Sequence, residues 1–215
     1  MKRPIDLSLY LVTDDGSRGA DVAALVARAI EGGVTCVQVR DKAGSTRRFV
    51  ARVHEVLAVA RPKGVAVLVN DRLDVALATD ADGLHVGQDD LDPRTAHALL
   101  GSERILGVTA GDPQAARRAA DDGADYVGST AVFPTPTKAD AGAPIGVLGL
   151  AAIVRAVRLP VVGIGGIDRT NAAGVMTAGV AGIAVVNAIC GAADPRLAAE
   201  ELARIVRASR AEVPR

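Results

Sequence analysis

Short runs of apolar, β-branched residues alternate with longer Ala-rich segments along the chain, and this alternation limits the folds that the sequence can adopt. Each run is nearly continuously apolar, as expected of a strand that is covered on both faces. The eight runs predicted to be strands are SLYLVT (8–13), CVQVR (36–40), VAVLVN (65–70), GLHV (83–86), ILGVT (105–109), DYVGS (125–129), PVVGIG (160–165) and GIAVVN (182–187).

The segments between these runs have the pattern of amphipathic helices. Four of them are 21–33, 47–61, 113–125 and 171–180. Several end in Gly, which commonly terminates helices, and Asp92 before Pro93 is typical of an N-cap followed by the first helical turn. Eight such units with no linker between them favour a single-domain (β/α)8 TIM barrel over residues 1–215, rather than a doubly wound sheet.

Composition and hydropathy exclude several classes of protein. Lys+Arg and Asp+Glu both number 25 and aromatic residues are 2%, so the chain lacks the basic field and stacking surfaces of nucleic-acid binders. The apolar run near the N-terminus is too short for a signal sequence, and no stretch approaches ~18 uninterrupted apolar residues. The sequence therefore predicts a cytoplasmic protein that binds small molecules and has no nucleic-acid or membrane partner.

Two further expectations concern thiols and assembly. Cys36 and Cys190 lie in or near apolar runs with no CxxC pattern, so both are predicted to be buried structural thiols. The outer face of a barrel helix can meet water or a second copy with a similar pattern. A homo-oligomer is therefore compatible with the sequence, which does not specify the number of subunits.

Polar residues follow most of the predicted strands, at the end of the barrel where active sites form. In chain order they are Gln38, Arg40, Asp41, Lys42, Asn70, Asp71, Arg72, His85, Gln88, Asp89, Asp90, Thr135, Thr137, Lys138 and Asn187. The cations Arg40, Lys42 and Lys138 would converge on one mouth, where a phosphorylated ligand would supply the compensating charge. Asp71 and Asp90 would add the oxygen ligands that Mg²⁺ uses beside substrate phosphates, so a diphosphate is expected.

A second anion site is expected after strands 7 and 8, where this fold often binds phosphate through backbone N–H groups. Gly166 would let the chain come close to such a ligand. Two phosphorylated groups in one mouth imply a joining or transfer reaction.

Plainer alternatives exist for each signal: a solvated turn at 40–42, an ion pair between Asp71 and Arg72, or a tight turn at GIGG. His85 is interpreted as a satisfied barrel histidine, and no Ser/His/Asp set supports covalent catalysis.

Several motifs, in this order and at these intervals, resemble the thiamine-phosphate synthase (thiamine-phosphate pyrophosphorylase) family. They are VQVRDK (37–42), VNDR (69–72), GLHVGQDDL (83–91), FPTPTK (133–138), VGIGGI (162–167) and AVVNAI (184–189). VNDR together with HVGQDD and PTxTK is a specific combination, whereas VGIGGI is shared by many phosphate-binding barrels. The family joins a hydroxymethylpyrimidine diphosphate to a thiazole phosphate, or its carboxylated form, and releases pyrophosphate.

The resemblance implies a role for individual residues. The pyrimidine diphosphate would be bound by Gln38, Val39, Arg40, Asp41, Lys42, Asn70, Thr109 and Lys138. The thiazole phosphate would be bound by Thr135, Pro136, Thr137, Gly166, Val186 and Asn187, with Pro134 and Pro136 stiffening the loop that presents the threonines. Asp71 and Asp90 would hold Mg²⁺, and Arg40, Lys42 and Lys138 would be the catalytic cations, neutralising the leaving diphosphate after a dissociative step.

The chain departs from the family pattern at four places, which bear on substrate fit and rate rather than on reaction type. Asp41 occupies a position where the family commonly has Glu, and Asn187 one where it frequently has Ser. Thr109-Ala110-Gly111 replaces the frequent Ser-x-His-Thr, and Ser129-Thr130-Ala131 replaces the frequent x-Gly-Pro. Two alternatives remain from the sequence: a thiazole tautomerase of the same fold, which needs neither Mg²⁺ nor a diphosphate site, and a non-catalytic sensor of thiamine intermediates.

Overall fold

Eight parallel strands close into a barrel in chain order, with the last strand paired to the first. The computed structural model describes residues 5–13, 21–135 and 143–211. The strands are β1 (Leu9–Val12), β2 (Cys36–Val39), β3 (Ala66–Asn70), β4 (Gly83–Val86), β5 (Ile105–Ala110), β6 (Tyr126–Ala131), β7 (Val161–Ile164) and β8 (Gly182–Val185). The predicted (β/α)8 fold is therefore confirmed.

Helices follow the strands and cover the outside of the barrel. They are α1 (Val22–Glu31), α2 (Thr46–Ala60), α3 (Leu73–Ala78), α4 (Pro93–Leu100), α5 (Pro113–Asp121), α6 (Gly146–Ala156), α7 (Ala172–Met176), α8 (Asn187–Cys190) and α9 (Pro195–Ala211), with a short 3₁₀ turn at Arg61–Lys63. The predicted cap at Asp92 is confirmed, because its carboxylate accepts a hydrogen bond from the Thr95 backbone N–H at 3.0 Å.

Alternation along each strand divides the apolar residues into two cores. Outward-facing residues such as Val37 and Val39 pack against the helices and form the larger core. Inward-facing residues such as Tyr10, Leu68 and Tyr126 fill the barrel interior and form the smaller one. A one-residue difference in position therefore decides whether a side chain meets a helix or the inside of the barrel.

Several sequence predictions need small corrections. β6 runs to Ala131, two residues beyond its predicted end, and Asn187 belongs to α8 instead of the last strand. Cys36 is buried, but Cys190 is only partly buried, so the expectation of two buried thiols is correct for Cys36 alone; neither forms a disulfide. Within the described ranges, no helix is both long and apolar enough to cross a membrane.

Candidate active site

A cavity of about 400 Å³ opens at the carboxyl ends of the strands, where the βα loops meet. Eleven of the residues predicted for the site line it: Gln38, Arg40, Lys42, Asn70, Asp71, Asp90, Thr109, Thr135, Gly166, Val186 and Asn187. Seven strands, β2 to β8, or the loops after them thus contribute to one space, as the barrel closure requires.

Val39 and Asp41, also predicted to bind the pyrimidine diphosphate, are not among the residues that line the cavity. Gln38 and Arg40 face the inside of the barrel, so the alternation of the strand turns Val39 and Asp41 towards the helices. Val39 is buried in the outer core. The side chains of Val39 and Asp41 therefore point away from the cavity, and their assignment to the pyrimidine diphosphate stays a prediction that only their backbone could fulfil.

The Asp41 carboxylate is instead held by the start of α2. It accepts hydrogen bonds from Arg48 at 3.0 and 3.1 Å, from Arg52 at 3.0 Å and from the Gly44 backbone N–H at 2.7 Å. Its side chain has 0% exposure. Burial opposes ionisation, but the bonds from Arg48 and Gly44 and the charges of both arginines outweigh it and lower the pKa of Asp41. This cluster anchors the loop that carries Arg40 and Lys42.

On the β2–β4 side of the cavity, the Lys42 ammonium group lies between loops of neighbouring strands. Lys42 Nζ is 3.3 Å from Asp71 Oδ2, so the ion pair joins the loop after β2 to the loop after β3. Arg72 is bonded to Asp74, with Nε 2.8 Å from Oδ1, so the alternative of an Asp71–Arg72 pair is not what forms.

Asp71 and Asp90 meet at the same place. Burial first, and then the hydrogen bond and negative charge of Asp90, raise the pKa of Asp71 to about 6, although Lys42 acts in the opposite direction. The Asp90 carboxylate also accepts a hydrogen bond from the Gly87 N–H at 2.8 Å. Because the charge of Asp90 disfavours ionisation of Asp71, a cation bound beside both carboxylates would relieve the repulsion.

The two carboxylates suit a hard divalent cation whose coordination shell is completed by other ligands. Across the parts of the chain that the structure describes, no group of three or more His, Cys, Asp or Glu side chains could hold a metal ion. Mg²⁺ commonly uses one or two carboxylates together with waters and substrate phosphates. Asp71 and Asp90 match the share that a protein commonly supplies to such a site, and their assignment to a metal stays a prediction.

The β6–β8 side of the cavity is made largely of backbone. Gly165 and Gly166 have φ values of 92° and 64°, which disfavour other residues. A Cβ on Gly166 would lie 2.6 Å from the Pro134 carbonyl oxygen, so the loops after β6 and β7 touch here. Asn171 closes the turn by donating to the Gly166 carbonyl at 2.8 Å. The tight turn considered for GIGG is present, and Gly166 lines the cavity as well.

The proline-rich loop after β6 is described in part. Pro134 and Thr135 both line the cavity, as predicted for Thr135. Pro136, Thr137 and Lys138 lie outside the described residues. The expectation that they complete a rigid substrate clamp stays a prediction.

The barrel interior holds a chain of hydrogen bonds that sequence reasoning missed. Gln38 Nε2 donates to the Tyr10 hydroxyl at 2.8 Å, and the hydroxyls of Tyr10 and Tyr126 are 2.8 Å apart. Tyr126 then contacts His85 Nδ1 at 2.8 Å, and His85 Nε2 lies 2.9 Å from Thr109 Oγ1. Both ring nitrogens of His85 are bonded, as expected of a satisfied barrel histidine. We call these five residues the interior chain.

Two glycines make room for the interior chain. A Cβ on Gly107 would collide with the Tyr126 ring, and one on Gly128 would lie 3.0 Å from His85 Cε1. Burial raises the pKa of both tyrosines well above the ordinary value, so each keeps its proton. The missed signal was the placement of the chain's two tyrosines, which both fall within predicted buried strands, where a phenol needs a polar partner.

The chain is similar over most of its length to proteins of one family. A family model described as thiamine monophosphate synthase matches residues 9–189. The thiamine-phosphate synthase of Chloroflexus aurantiacus is 50% identical over 203 residues, which cover 94% of this chain and 94% of that protein. That of Moorella thermoacetica is 47% identical over 205 residues, covering 95% of this chain and 97% of the relative.

A solved structure supports the same relationship. The thiamine phosphate pyrophosphorylase from Pyrococcus furiosus superposes with a TM-score of 0.87 at 39% sequence identity, and the match covers 95% of this chain and 97% of that one. The similarity therefore extends over the whole barrel, including every strand that contributes to the cavity.

Proposed function

The chain belongs to the thiamine monophosphate synthase family and is a transferase that makes thiamine phosphate, and we propose that it joins hydroxymethylpyrimidine diphosphate to thiazole phosphate, or its carboxylated form, with release of pyrophosphate. The observation that carries the proposal is the meeting of Lys42, Asp71 and Asp90 at one side of the cavity. A tautomerase acting on the thiazole phosphate alone would not need this charged side.

Mg²⁺ is the cofactor in this proposal, and the carboxylates of Asp71 and Asp90 would hold it. When bound, the ion neutralises charge on the diphosphate. Arg40 and Lys42 line the same side of the cavity and bind the diphosphate oxygens directly. Lys138 is assigned to the same group by its place in the PTxTK motif.

Loss of pyrophosphate is the first chemical step in this proposal. The bond between the pyrimidine methylene carbon and the diphosphate oxygen breaks, and its electron pair leaves with pyrophosphate. Arg40 and Lys42 stabilise the charge that grows on the leaving group, which requires neither a nucleophile nor a strong base. The ring amino group of the substrate stabilises the resulting cation by electron donation.

Capture by the thiazole nitrogen completes the reaction and forms the new carbon–nitrogen bond. Thr135, Gly166, Val186 and Asn187 line the part of the cavity away from the carboxylates and would bind the thiazole phosphate. Pro136 and Thr137 would extend this binding surface along the same loop. Gln38, Asn70 and Thr109 would hold the pyrimidine, with the backbone of Val39 and Asp41 passing beside it.

The test is a reconstituted reaction with purified protein, Mg²⁺ and both substrates, in which thiamine phosphate and pyrophosphate are quantified together. We expect equal amounts of both products, and none after EDTA treatment. Conversion of a thiazole tautomer without Mg²⁺ would overturn the proposal in favour of a tautomerase. Binding of both substrates by calorimetry without any turnover would overturn it in favour of a sensor.

The setting of the enzyme is also part of the proposal. Its substrates are small phosphorylated molecules, and we propose a cytoplasmic location, where the free Cys36 and Cys190 would stay reduced. A homo-oligomer remains compatible with exposed apolar side chains such as Leu148, which is 86% exposed. Sedimentation of the purified protein would determine its assembly state.

A further inference from the structure

Strand β6 carries one more residue than β7 at the point where the two strands reach the cavity. Gly128 pairs with Val162 and Ala131 with Ile164, so three steps along β6 correspond to two along β7. Such a β-bulge bends the strand and turns the side chains that follow it, and bulges are frequent beside active sites. We call this irregular step the β6 bulge, and it determines how the end of β6 approaches the cavity.

Ser129 lies within the β6 bulge, and its hydroxyl joins backbone groups of both strands. The Oγ atom accepts a hydrogen bond from the Ile164 N–H at 3.2 Å and donates one to the Thr130 carbonyl at 2.7 Å. Ser129 lines the cavity but is only 2% exposed. Because its single hydroxyl proton is used on the Thr130 carbonyl, this group acts on the backbone and has no proton left to donate to a ligand.

The two strands stay connected beyond the β6 bulge, where the substrate loops begin. The Val132 N–H donates to Ile164 O at 2.8 Å, and the Phe133 N–H donates to Gly165 O at 3.1 Å. The glycine turn packs against the same stretch, since a Cβ on Gly165 would lie 2.6 Å from Ala131 Cα. The proline-rich loop after β6 and the glycine turn after β7 therefore both depend on the geometry of the β6 bulge.

The β6 bulge also places Thr130 against the end of the neighbouring strand β5. Thr130 lines the cavity, and a Cβ on Gly111 would lie 3.1 Å from Thr130 Cγ2. The absence of a side chain at Gly111 thus leaves room for Thr130. The departures from the family pattern at 109–111 and 129–131 meet in this one contact, so they form a single local change in the cavity wall.

We propose that Ser129 is a positioning residue for the thiazole phosphate, acting through the β6 bulge and not by direct contact with this ligand. Its hydroxyl fixes the step between β6 and β7, and these strands fix the loops on the β6–β8 side of the cavity. The β2–β4 side is held by other contacts, which include the Lys42–Asp71 ion pair. The inference rests on the proposed function, which assigns the thiazole phosphate to the β6–β8 side.

The test compares Ser129→Ala with the wild type in the complete reaction. The KM of each substrate is measured at saturating concentrations of the other substrate and of Mg²⁺. The variant loses the hydrogen bonds to the Ile164 N–H and the Thr130 carbonyl, so the KM for the thiazole phosphate should rise about tenfold. The KM for the pyrimidine diphosphate and kcat should each stay within about twofold of the wild-type values.

Thr79→Val is the matched control, because Thr79 has a buried hydroxyl that donates to Val75 O at 2.8 Å and does not line the cavity. Each variant loses a buried hydroxyl, so each should lower the melting temperature by about 2–4 °C. Thr79→Val should nevertheless leave both KM values unchanged. A general loss of stability is thereby separated from a loss of positioning.

An unchanged KM for the thiazole phosphate in folded Ser129→Ala would overturn the inference. An equal rise in both KM values would also overturn it, because the effect would then not be confined to the β6–β8 side. A rise in the thiazole phosphate KM of Thr79→Val that matches that of Ser129→Ala would overturn it as well. Failure of the wild type to form thiamine phosphate from the two substrates would instead overturn the proposed function.

Discussion

The two sides of the cavity are built in different ways. On the β2–β4 side, charged side chains from three loops meet, and Lys42 and Asp90 act in opposite directions on the pKa of Asp71. On the β6–β8 side, Gly165 and Gly166 bring backbone close to the Pro134 loop. The first side depends on which residue types are present, and the second depends on the absence of side chains.

This difference separates two sources of affinity for phosphorylated ligands. Charged side chains attract the diphosphate strongly but repel one another until the ligand or a cation arrives. Backbone N–H groups at a glycine turn carry no net charge, so they are already arranged at little electrostatic cost. Substitutions on the first side should therefore change catalysis, and those on the second should change shape and binding.

The largest effect is expected from Asp71→Asn. It removes one of the two carboxylates proposed for Mg²⁺, so kcat/KM should fall by about 10²- to 10³-fold. The Mg²⁺ concentration for half-maximal activity should rise at the same time. A titration of the initial rate with Mg²⁺ measures both quantities. Asp90→Ala should also lower kcat/KM and raise the Mg²⁺ concentration for half-maximal activity. Unchanged Mg²⁺ dependence in both variants would remove these carboxylates from the metal site.

Asp41→Asn tests the anchor behind the charged side. It leaves Arg48 and Arg52 without their buried carboxylate, so the free energy of unfolding should fall by about 3 kcal/mol. The KM for the diphosphate should also rise, because the loop carrying Arg40 and Lys42 loosens. Urea unfolding and initial rates measure these two effects.

Asp80→Asn is the matched control for Asp41→Asn. Asp80 also pairs with two arginines, Arg61 and Arg104, but its side chain is 76% exposed. Its removal should cost less than about 1 kcal/mol, since water screens the pair. Equal losses in the two variants would show that Asp41 is no more than a surface ion pair.

The carboxylate pair should also make stability depend on pH when Mg²⁺ is removed with EDTA. The pKa of Asp71 rises from 3.8 to about 6 on folding, so the folded state holds a proton that the unfolded state has released in this window. The free energy of unfolding should therefore fall as pH rises from 3.8 through about 6, by on the order of 2 kcal/mol.

Asp71→Asn should flatten this pH dependence and stabilise the metal-free protein above pH 6. Thermal unfolding in EDTA, measured from below pH 3.8 to above pH 6, gives the pH dependence of the stability. A variant as pH-dependent as the wild type in this window would show that another group is responsible. The expected gain in stability, combined with the expected loss of activity, would mark Asp71 as a residue retained for function.

The smallest effect is expected on the backbone side, from Gly166→Ala. The new Cβ would meet Pro134 O at 2.6 Å and Phe133 Cβ at 2.8 Å, in a backbone conformation with φ of 64°. The loops should move apart, raising the KM for the thiazole phosphate about tenfold with little change for the diphosphate. Gly64→Ala has a similar φ of 71° but open space around it, so it controls for backbone strain.

Much of this protein could be predicted from the sequence. Repeated apolar runs and amphipathic segments specify alternating strands and helices, because burial on both faces leaves a continuous apolar run. The charged residues at strand ends then had to gather at one mouth, since parallel strands in a barrel end on one face. Arg40, Lys42, Asp71 and Asp90 were found in this way.

Tertiary structure decided which neighbours along a strand share an environment. The motif VQVRDK is predicted from the sequence to be one binding segment. In the structure, Arg40 lines the cavity, whereas Asp41 points outward to Arg48 and Arg52. The pairing of Tyr10 with Tyr126, 116 positions apart, depends on barrel closure in the same way. Local sequence specifies elements through short-range sterics and burial, whereas partners across the barrel depend on register and closure, which residues near in sequence do not determine.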